Sequence, residues 1–267
     1  MAAFVNEEAV RNALISKFPD ISVRAQELTG STNSDMKRAY ASGQEAGPAV
    51  LIARIQTKGR GSHGRAWNGM KESILFSLGL PAPQSRYLSP VSLIAGFSAA
   101  RAFRQEDVPV AIKWPNDLWL SGGKMGGILV EAVKTPSGMA VVIGIGINLE
   151  LEPGAGKQMA YPVAALGDVL PIKSEARDLR TKWIGRLSRG ILTDVKSYFS
   201  TLQMPDWNQW KELDFLNGKR ISADDNAGTV IHGFCEGIDQ DGALVLRMDD
   251  GLERHLVSAT IRLEERK

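Results

Sequence analysis

The sequence predicts an α+β protein in two parts, a large mixed unit over residues 1–214 and a small all-β barrel over residues 215–267. Three observations carry that reading. The chain has 267 residues, room for one large domain plus one small one. Through most of that length helical periodicities alternate with β-branched runs, as in a sheet covered by helices. From Gly218 onward the pattern changes to short strands divided by Asp224-Asp225-Asn226, Asp239-Gln240-Asp241-Gly242 and Asp249-Asp250-Gly251, the texture of a small barrel.

In chain order, Val10, Leu14 and Ile15 predict a helix over 6–17, and the run 21–28 after Pro19 predicts a first strand. Ser31, Thr32 and Asn33 offer N-cap side chains for a second helix ending near Ser42. The runs 48–56 and 74–80 are rich in Val, Leu and Ile, as buried strands are, and a long glycine-rich link separates them. Residues 89–104 are apolar and alanine-rich, predicting a buried helix. A strand over 110–113 then runs into Trp114-Pro115-Asn116-Asp117, where the proline and the Asn-Asp pair predict a turn. The runs 128–133 and 139–147 predict neighbouring strands joined by a hairpin at Thr135-Pro136-Ser137-Gly138. Leu179, Trp183, Ile184, Leu187, Ile191, Leu192, Val195 and Phe199 recur at three- and four-residue steps, giving one long helix over 174–202 capped by Ser174. A short helix over 207–213 follows.

Composition removes several classes of function. The 43% hydrophobic and 23% charged fractions exclude collagen-like, coiled-coil and disordered chains. A formal charge of +2 is too small a surplus to imply a nucleic-acid partner, so any anion site has to be local. Cys235 stands alone, which rules out an internal disulfide or a cysteine metal cluster and suits a reducing cytoplasm. Glu7 and Glu8 lie where a cleavable signal carries its apolar core, and the uncharged stretch 135–148 falls short of the roughly 20 apolar residues of a bilayer span. Neither export nor membrane insertion is expected.

The chemistry concentrates in two glycine-rich segments. Lys58-Gly59-Arg60-Gly61-Ser62-His63-Gly64-Arg65-Ala66-Trp67 sets glycines among cations. As a plain surface loop this composition gains nothing from packing. As an anion site it lets backbone N–H groups approach oxygens closely while arginine forks add charge-assisted contacts. Its G-x-G-x-x-G spelling fails as a dinucleotide fingerprint, because Asn68-Gly69 makes a further turn and a strand rather than a helix follows. Gly122-Gly123-Lys124-Met125 fails as a Walker A loop for want of a Ser or Thr after the lysine. Lys124, framed by Gly122-Gly123 and Gly126-Gly127, is either a solvated turn lysine or a charge set in bare backbone against which a substrate can lie. Trp67 and Trp114 serve as core anchors or as stacking faces for a base. His63 has no carboxylate near it in sequence, which favours loop hydrogen bonding over general-base work.

Taken together, GRGSHGRAW, KWPNDL, GGKMGGILVE and GIGINL, in this order over 59–149 and with Ser31-Thr32-Asn33 upstream, resemble the biotin protein ligases. The resemblance implies a catalytic domain of the class II aminoacyl-tRNA-synthetase/biotin-synthetase type followed by an SH3-like β-barrel. It also implies activation of biotin with ATP and Mg²⁺ to biotinyl-5′-adenylate, then transfer to a lysine of the biotin carboxyl carrier domain of acetyl-CoA carboxylase. Carried over by position, Ser31, Thr32, Asn33 and Gln56 face biotin, with Gly61, Ser62, Gly126 and Gly127 about it. Arg60 and Lys124 meet both biotin and ATP and act, with Asp117, in catalysis. Arg65, Trp67, Asn116 and Asn148 belong to the nucleotide; no metal ligands are assigned. Such cations are needed because a carboxylate and a polyphosphate brought to about 4 Å repel by roughly 4 kcal/mol at an effective dielectric near 20.

Ser62 departs from the family, many of whose members carry a basic residue there, and predicts faster escape of the adenylate than from a Ser62→Arg variant. Lipoate–protein ligases share the chemistry, but the GRGxxGR loop and KWPND argue against them. A non-catalytic biotin-binding regulator would not need Lys124 and Arg60. About twenty residues precede the first strand, too few for the winged helix-turn-helix of bifunctional members, so specific DNA binding is not expected. Family members are often homodimers, but nothing in the composition marks an exposed apolar edge.

Overall fold

The computed structural model describes residues 3–61, 64–65, 67, 71–83, 88–155, 161–170, 176–225 and 228–264. Its larger part is a seven-stranded mixed sheet. The strands are β1 (Ser22–Thr29), β2 (Ala49–Gln56), β3 (Glu72–Ala82), β4 (Ala111–Lys113), β5 (Asp117–Leu120), β6 (Gly123–Thr135) and β7 (Gly138–Glu150), in the order β1-β2-β3-β7-β6-β5-β4. Only β1 and β2 pair in parallel, and α2 (Thr32–Ala41) supplies the crossover that parallel pairing requires.

The sheet's two faces are covered unequally because its side chains alternate. Val50, Ile52, Val141, Ile143, Ile145 and Ile147 join the large core, against α1 (Glu7–Leu14), α3 (Val91–Arg104) and the 26-residue α4 (Ala176–Thr201). Ala49, Leu51, Ala140 and Val142 point the other way and form a small cluster with Met36 and Tyr40 of α2. At the sheet's β1 edge Leu28 and Ile55, neighbours in register, are 61% and 52% exposed. Two apolar side chains thus stand exposed side by side on the β1–β2 pair, a local feature that overall composition cannot show.

After α5 (Trp210–Leu213) come β8 (Arg220–Asp224), β9 (Val230–Ile238), β10 (Leu244–Met248), β11 (Glu253–Leu256) and β12 (Thr260–Leu263), a separate antiparallel sheet ordered β11-β10-β9-β8-β12. Its buried Ile221, Cys235, Leu244 and Leu246 belong to the same hydrophobic cluster as the large sheet. Trp119 stacks on Phe215 at 4.3 Å, and the Trp114 indole donates to the Gly242 carbonyl at 3.1 Å. Gly242 packs its α-carbon so close to Leu93 that a β-carbon would lie 2.6 Å from that side chain.

One sequence expectation is corrected here and one open alternative is decided. The turn after β4 takes up Trp114, Pro115 and Asn116, but Asp117 already begins a strand, because Asp117 pairs back with Lys113 and forward with Gly127. Lys124 is no turn residue, since it lies inside β6 and opposite Trp119, just before a bulge. The Ser174 cap of α4 falls outside the described residues. No helix among the described residues is long and apolar enough to cross a membrane.

Candidate active site

Six stretches of the chain, 31–33, 56–67, 76, 116–117, 124–129 and 144–146, contribute residues to one cleft holding about 490 Å³ of empty space, including its open mouth. Of the residues singled out in the sequence, Ser31, Thr32, Asn33, Gln56, Arg60, Gly61, Trp67, Asn116, Asp117, Lys124 and Gly127 line it. Arg65, Gly126 and Asn148 do not, and Ser62 and His63 lie outside the described residues.

One end of the cleft is neutral and internally bonded. Ser31 precedes α2 in extended conformation but makes no side-chain cap bond. The orphan N–H at the helix start is satisfied instead by Gln56, whose Oε1 accepts from the Thr32 amide at 2.7 Å and from the Thr32 hydroxyl at 3.0 Å. The Ser77 hydroxyl on β3 lies 2.7 Å from Thr32 Oγ1 and 2.6 Å from Asn33 Oδ1. Gly144 accommodates this cluster, because a β-carbon there would sit 2.3 Å from Asn33 Oδ1.

The other end is ionic. Lys124 Nζ pairs with Asp117 Oδ1 at 2.7 Å, and Lys124 sits 5.3 Å over the Tyr161 ring with its side chain 12% exposed. Asn116 braces this turn by donating from Nδ2 to the Ile128 carbonyl at 2.7 Å. Burial lowers the Lys113 ammonium below the usual lysine value, and the charges of Lys124 and Arg65 push the same way against Asp117. Three cations thus stand about one carboxylate, a local surplus that favours an anion.

Arg60 reaches Glu131 from the glycine loop at 3.1 Å. Burial raises the Glu131 carboxyl, but hydrogen bonds from Lys37 and Asn33 and the charges of Lys37 and Arg60 outweigh it and hold the group below the usual carboxylate range. Two backbone hydrogen bonds tie the described residues of the loop together. The Gly61 amide donates to the Arg65 carbonyl at 2.7 Å and the Trp67 amide to the Gly59 carbonyl at 2.9 Å. Gly64 turns it with φ of +71°. Trp67 lays its ring against Gly146, where a β-carbon would lie 2.7 Å from the indole. Trp114, the other tryptophan with an open role, is 3% exposed and anchors the second sheet rather than lining the cleft.

Two of the four glycines around Lys124 make room for the protein's own backbone. A β-carbon on Gly123 would meet the Val163 carbonyl carbon at 2.7 Å, and one on Gly126 the Gly146 oxygen at 2.7 Å. Only Gly127 opens onto the cleft. Asn148 is buried beside this strand, donating to the carbonyls of Ala164 at 3.0 Å and Lys124 at 3.4 Å. Sequence reasoning missed Ser77, Glu131 and Lys113. A serine within the apolar run 74–80, an acid inside the run 128–133 and the ends of the motifs GGKMGGILVE and KWPNDL, which are Glu131 and Lys113, were the available signals. Among the described residues no three His, Cys, Asp or Glu side chains gather as a metal site.

Comparison with known proteins follows the same outline. The Biotin/lipoate A/B protein ligase family model matches residues 26–148, and the model of the biotin protein ligase C terminal domain matches residues 217–263. The chain is 30% identical to a biotin–[acetyl-CoA-carboxylase] ligase of Mycobacterium tuberculosis, over 96% of this chain and 94% of that one. It is 34% identical to the Paracoccus denitrificans protein of the same name, over 82% and 91%. A solved biotin protein ligase from Aquifex aeolicus, in complex with biotin and ATP, matches its fold with a TM-score of 0.74 and 20% identity, over 91% of this chain and 99% of that one.

Proposed function

Because the chain belongs to the biotin protein ligase family, we infer that it is an ATP-dependent ligase joining biotin to the acceptor lysine of a biotin carboxyl carrier protein. The observation that carries this reading is the two-ended cleft, with a neutral, hydrogen-bonded end beside a cationic one. Biotin has that polarity, a neutral ureido ring and a carboxylate, and ATP adds polyphosphate at the charged end. Thr32, Asn33, Gln56 and Ser31 then take the ureido end. Arg60 and Lys124 receive the carboxylate and the α-phosphate, where their charges offset the repulsion between two anions.

The biotin carboxylate oxygen attacks the α-phosphorus and the bond to pyrophosphate breaks, leaving biotinyl-5′-adenylate. The acceptor lysine's neutral amine next attacks the acyl carbon and AMP leaves. Asp117, released from Lys124 when that ammonium turns to phosphate, is the carboxylate near enough to orient or deprotonate the amine. Trp67 offers an apolar ring to the adenine, with Asn116 on the ribose and phosphate side and with Arg65 and Asn148, neither of which lines the cleft, supporting that side from behind. Asp117, the acidic side chain among the cleft's lining residues, would hold Mg²⁺ together with the ATP phosphates, and the ion would supply neutralisation of their charge.

The reading extends to a division into a class II synthetase-like catalytic domain over 1–214 and an SH3-like barrel over 215–267. The extents of the two family matches support it. A cytoplasmic setting fits the use of ATP and the buried thiol of Cys235. Leu28 and Ile55 support a homodimer, and the modest net charge supports a chain without specific DNA binding. Biotin-dependent exchange of pyrophosphate into ATP tests the first step, with lipoate as the parallel substrate. Mass spectrometry of a biotin carboxyl carrier fragment tests the second. The expected results are exchange with biotin and not lipoate, and a mass gain of one biotinyl group; exchange with lipoate alone overturns the assignment.

A further inference from the structure

Glu131 does not line the cleft, yet it holds two residues that do. Its Oε2 accepts from Asn33 Nδ2 at 2.9 Å and from Arg60 Nη2 at 3.1 Å. Its Oε1 accepts from Lys37 Nζ at 2.8 Å and from Arg60 Nη2 at 3.2 Å. One carboxylate on β6 therefore ties the glycine loop to α2 and to the neutral end of the site. The same Arg60 nitrogen reaches the Ser34 hydroxyl at 3.2 Å. Among the described residues every hydrogen bond of Arg60 leaves from Nη2, so the rest of its five-donor fork is not drawn into that network. Arg60 is 44% exposed and Glu131 only 17%, so the anchor is fixed in the protein while the fork faces outward.

We propose that Glu131 is a positioning residue for adenylate formation, gripping Arg60 by one nitrogen so that its remaining N–H groups are already aimed at the anionic ligand. The inference rests on the ligase reading above. A flexible arginine on a glycine loop loses rotamer freedom when it binds, and an anchor that removes that freedom beforehand leaves more of the contact for the transition state. Because Asn33 and Arg60 share Oε2, occupation of the biotin end and order at the phosphate end are linked through the same atom.

The purely structural alternative is that Glu131 only fastens α2 to β6, a task its Lys37 pair would perform without Arg60. Glu131→Gln keeps the shape and removes the charge, Lys37→Met breaks the helix contact alone, and Arg60→Ala removes the gripped group. In biotin-dependent pyrophosphate exchange, Glu131→Gln is expected to lower kcat/KM by about 10- to 100-fold while Lys37→Met retains at least half of it. In the Arg60→Ala background Glu131→Gln should cost less than threefold, because the link it serves is already gone. Should Glu131→Gln lower the melting temperature sharply, Glu131→Asp, which keeps the charge but shortens the reach, is read by the same cycle. Full activity in Glu131→Gln, an equal loss in Lys37→Met, or additivity with Arg60→Ala overturns the proposal while leaving the ligase reading standing. Absence of exchange in the unmodified protein overturns the ligase reading itself, and this proposal with it.

Discussion

At the neutral end of the cleft Ser77, Thr32 and Asn33 are almost wholly buried and bonded to one another, whereas at the charged end Arg60 keeps 44% of its side chain exposed and both it and Lys124 rest on carboxylates. The difference separates recognition from reaction. A buried network of neutral groups rejects any ligand that leaves one of them unpaired, and it needs no rearrangement to do so. Lys124, parked on Asp117, is exchanged to an incoming anion of higher charge, whereas Arg60 stays on Glu131 and offers the anion its remaining donors.

If the charged end does the chemistry, the largest effect should come from Lys124→Gln. It is expected to slow pyrophosphate exchange by roughly 10²- to 10³-fold, the scale for losing one preorganised charge donor, while the melting temperature stays close to that of the parent. A rate near the parent's would erase the contrast. At the neutral end Gly144→Ala forces a β-carbon into Asn33 Oδ1, and overpacking of this kind costs about 1–3 kcal/mol. Thermal melting should fall and the KM for biotin rise, with the KM for ATP little altered. Ser77→Ala leaves the Asn33 oxygen without its hydroxyl partner and should cost about 1 kcal/mol, read as weaker biotin binding by calorimetry.

The smallest effect is on acid stability. Glu131 is held below the usual carboxylate range, so its contribution is complete above the ordinary value near 4.3 and is lost as pH falls through the lowered one. Melting followed from pH 6 down to about pH 3 should therefore decline less steeply for Glu131→Gln than for the parent. Parallel curves would show that this carboxylate is not the group that titrates.

Much of this layout is legible along the chain, for reasons that particular residues make plain. The β-branched run into Gly138 announces the β6–β7 hairpin, and the three- and four-residue steps of Trp183, Leu187 and Ile191 announce α4, because both signals are local periodicities. Lys124 shows where locality ends. Its glycines suggest room for a ligand, but Gly123 is bare because the Val163 backbone, some forty residues on, runs past it. Gln56 as the partner of the α2 N-terminus and Glu131 as the anchor of Arg60 are likewise contacts between distant segments, which no spacing rule encodes. The cleft's membership followed from the family resemblance of the motifs over 59–149; which groups sit on its wall and which stand behind it did not.

The indole of Trp114 carries a last implication. That ring leads directly into Pro115, Asn116 and Asp117, and its N–H ends on a carbonyl of the far sheet. Shortening the protein before residue 215 would leave a donor stranded in an apolar seat and uncover Leu93 beside it. A truncated enzyme that fails would thus be reporting a catalytic turn knocked from its footing, even if the missing strands never touch a substrate.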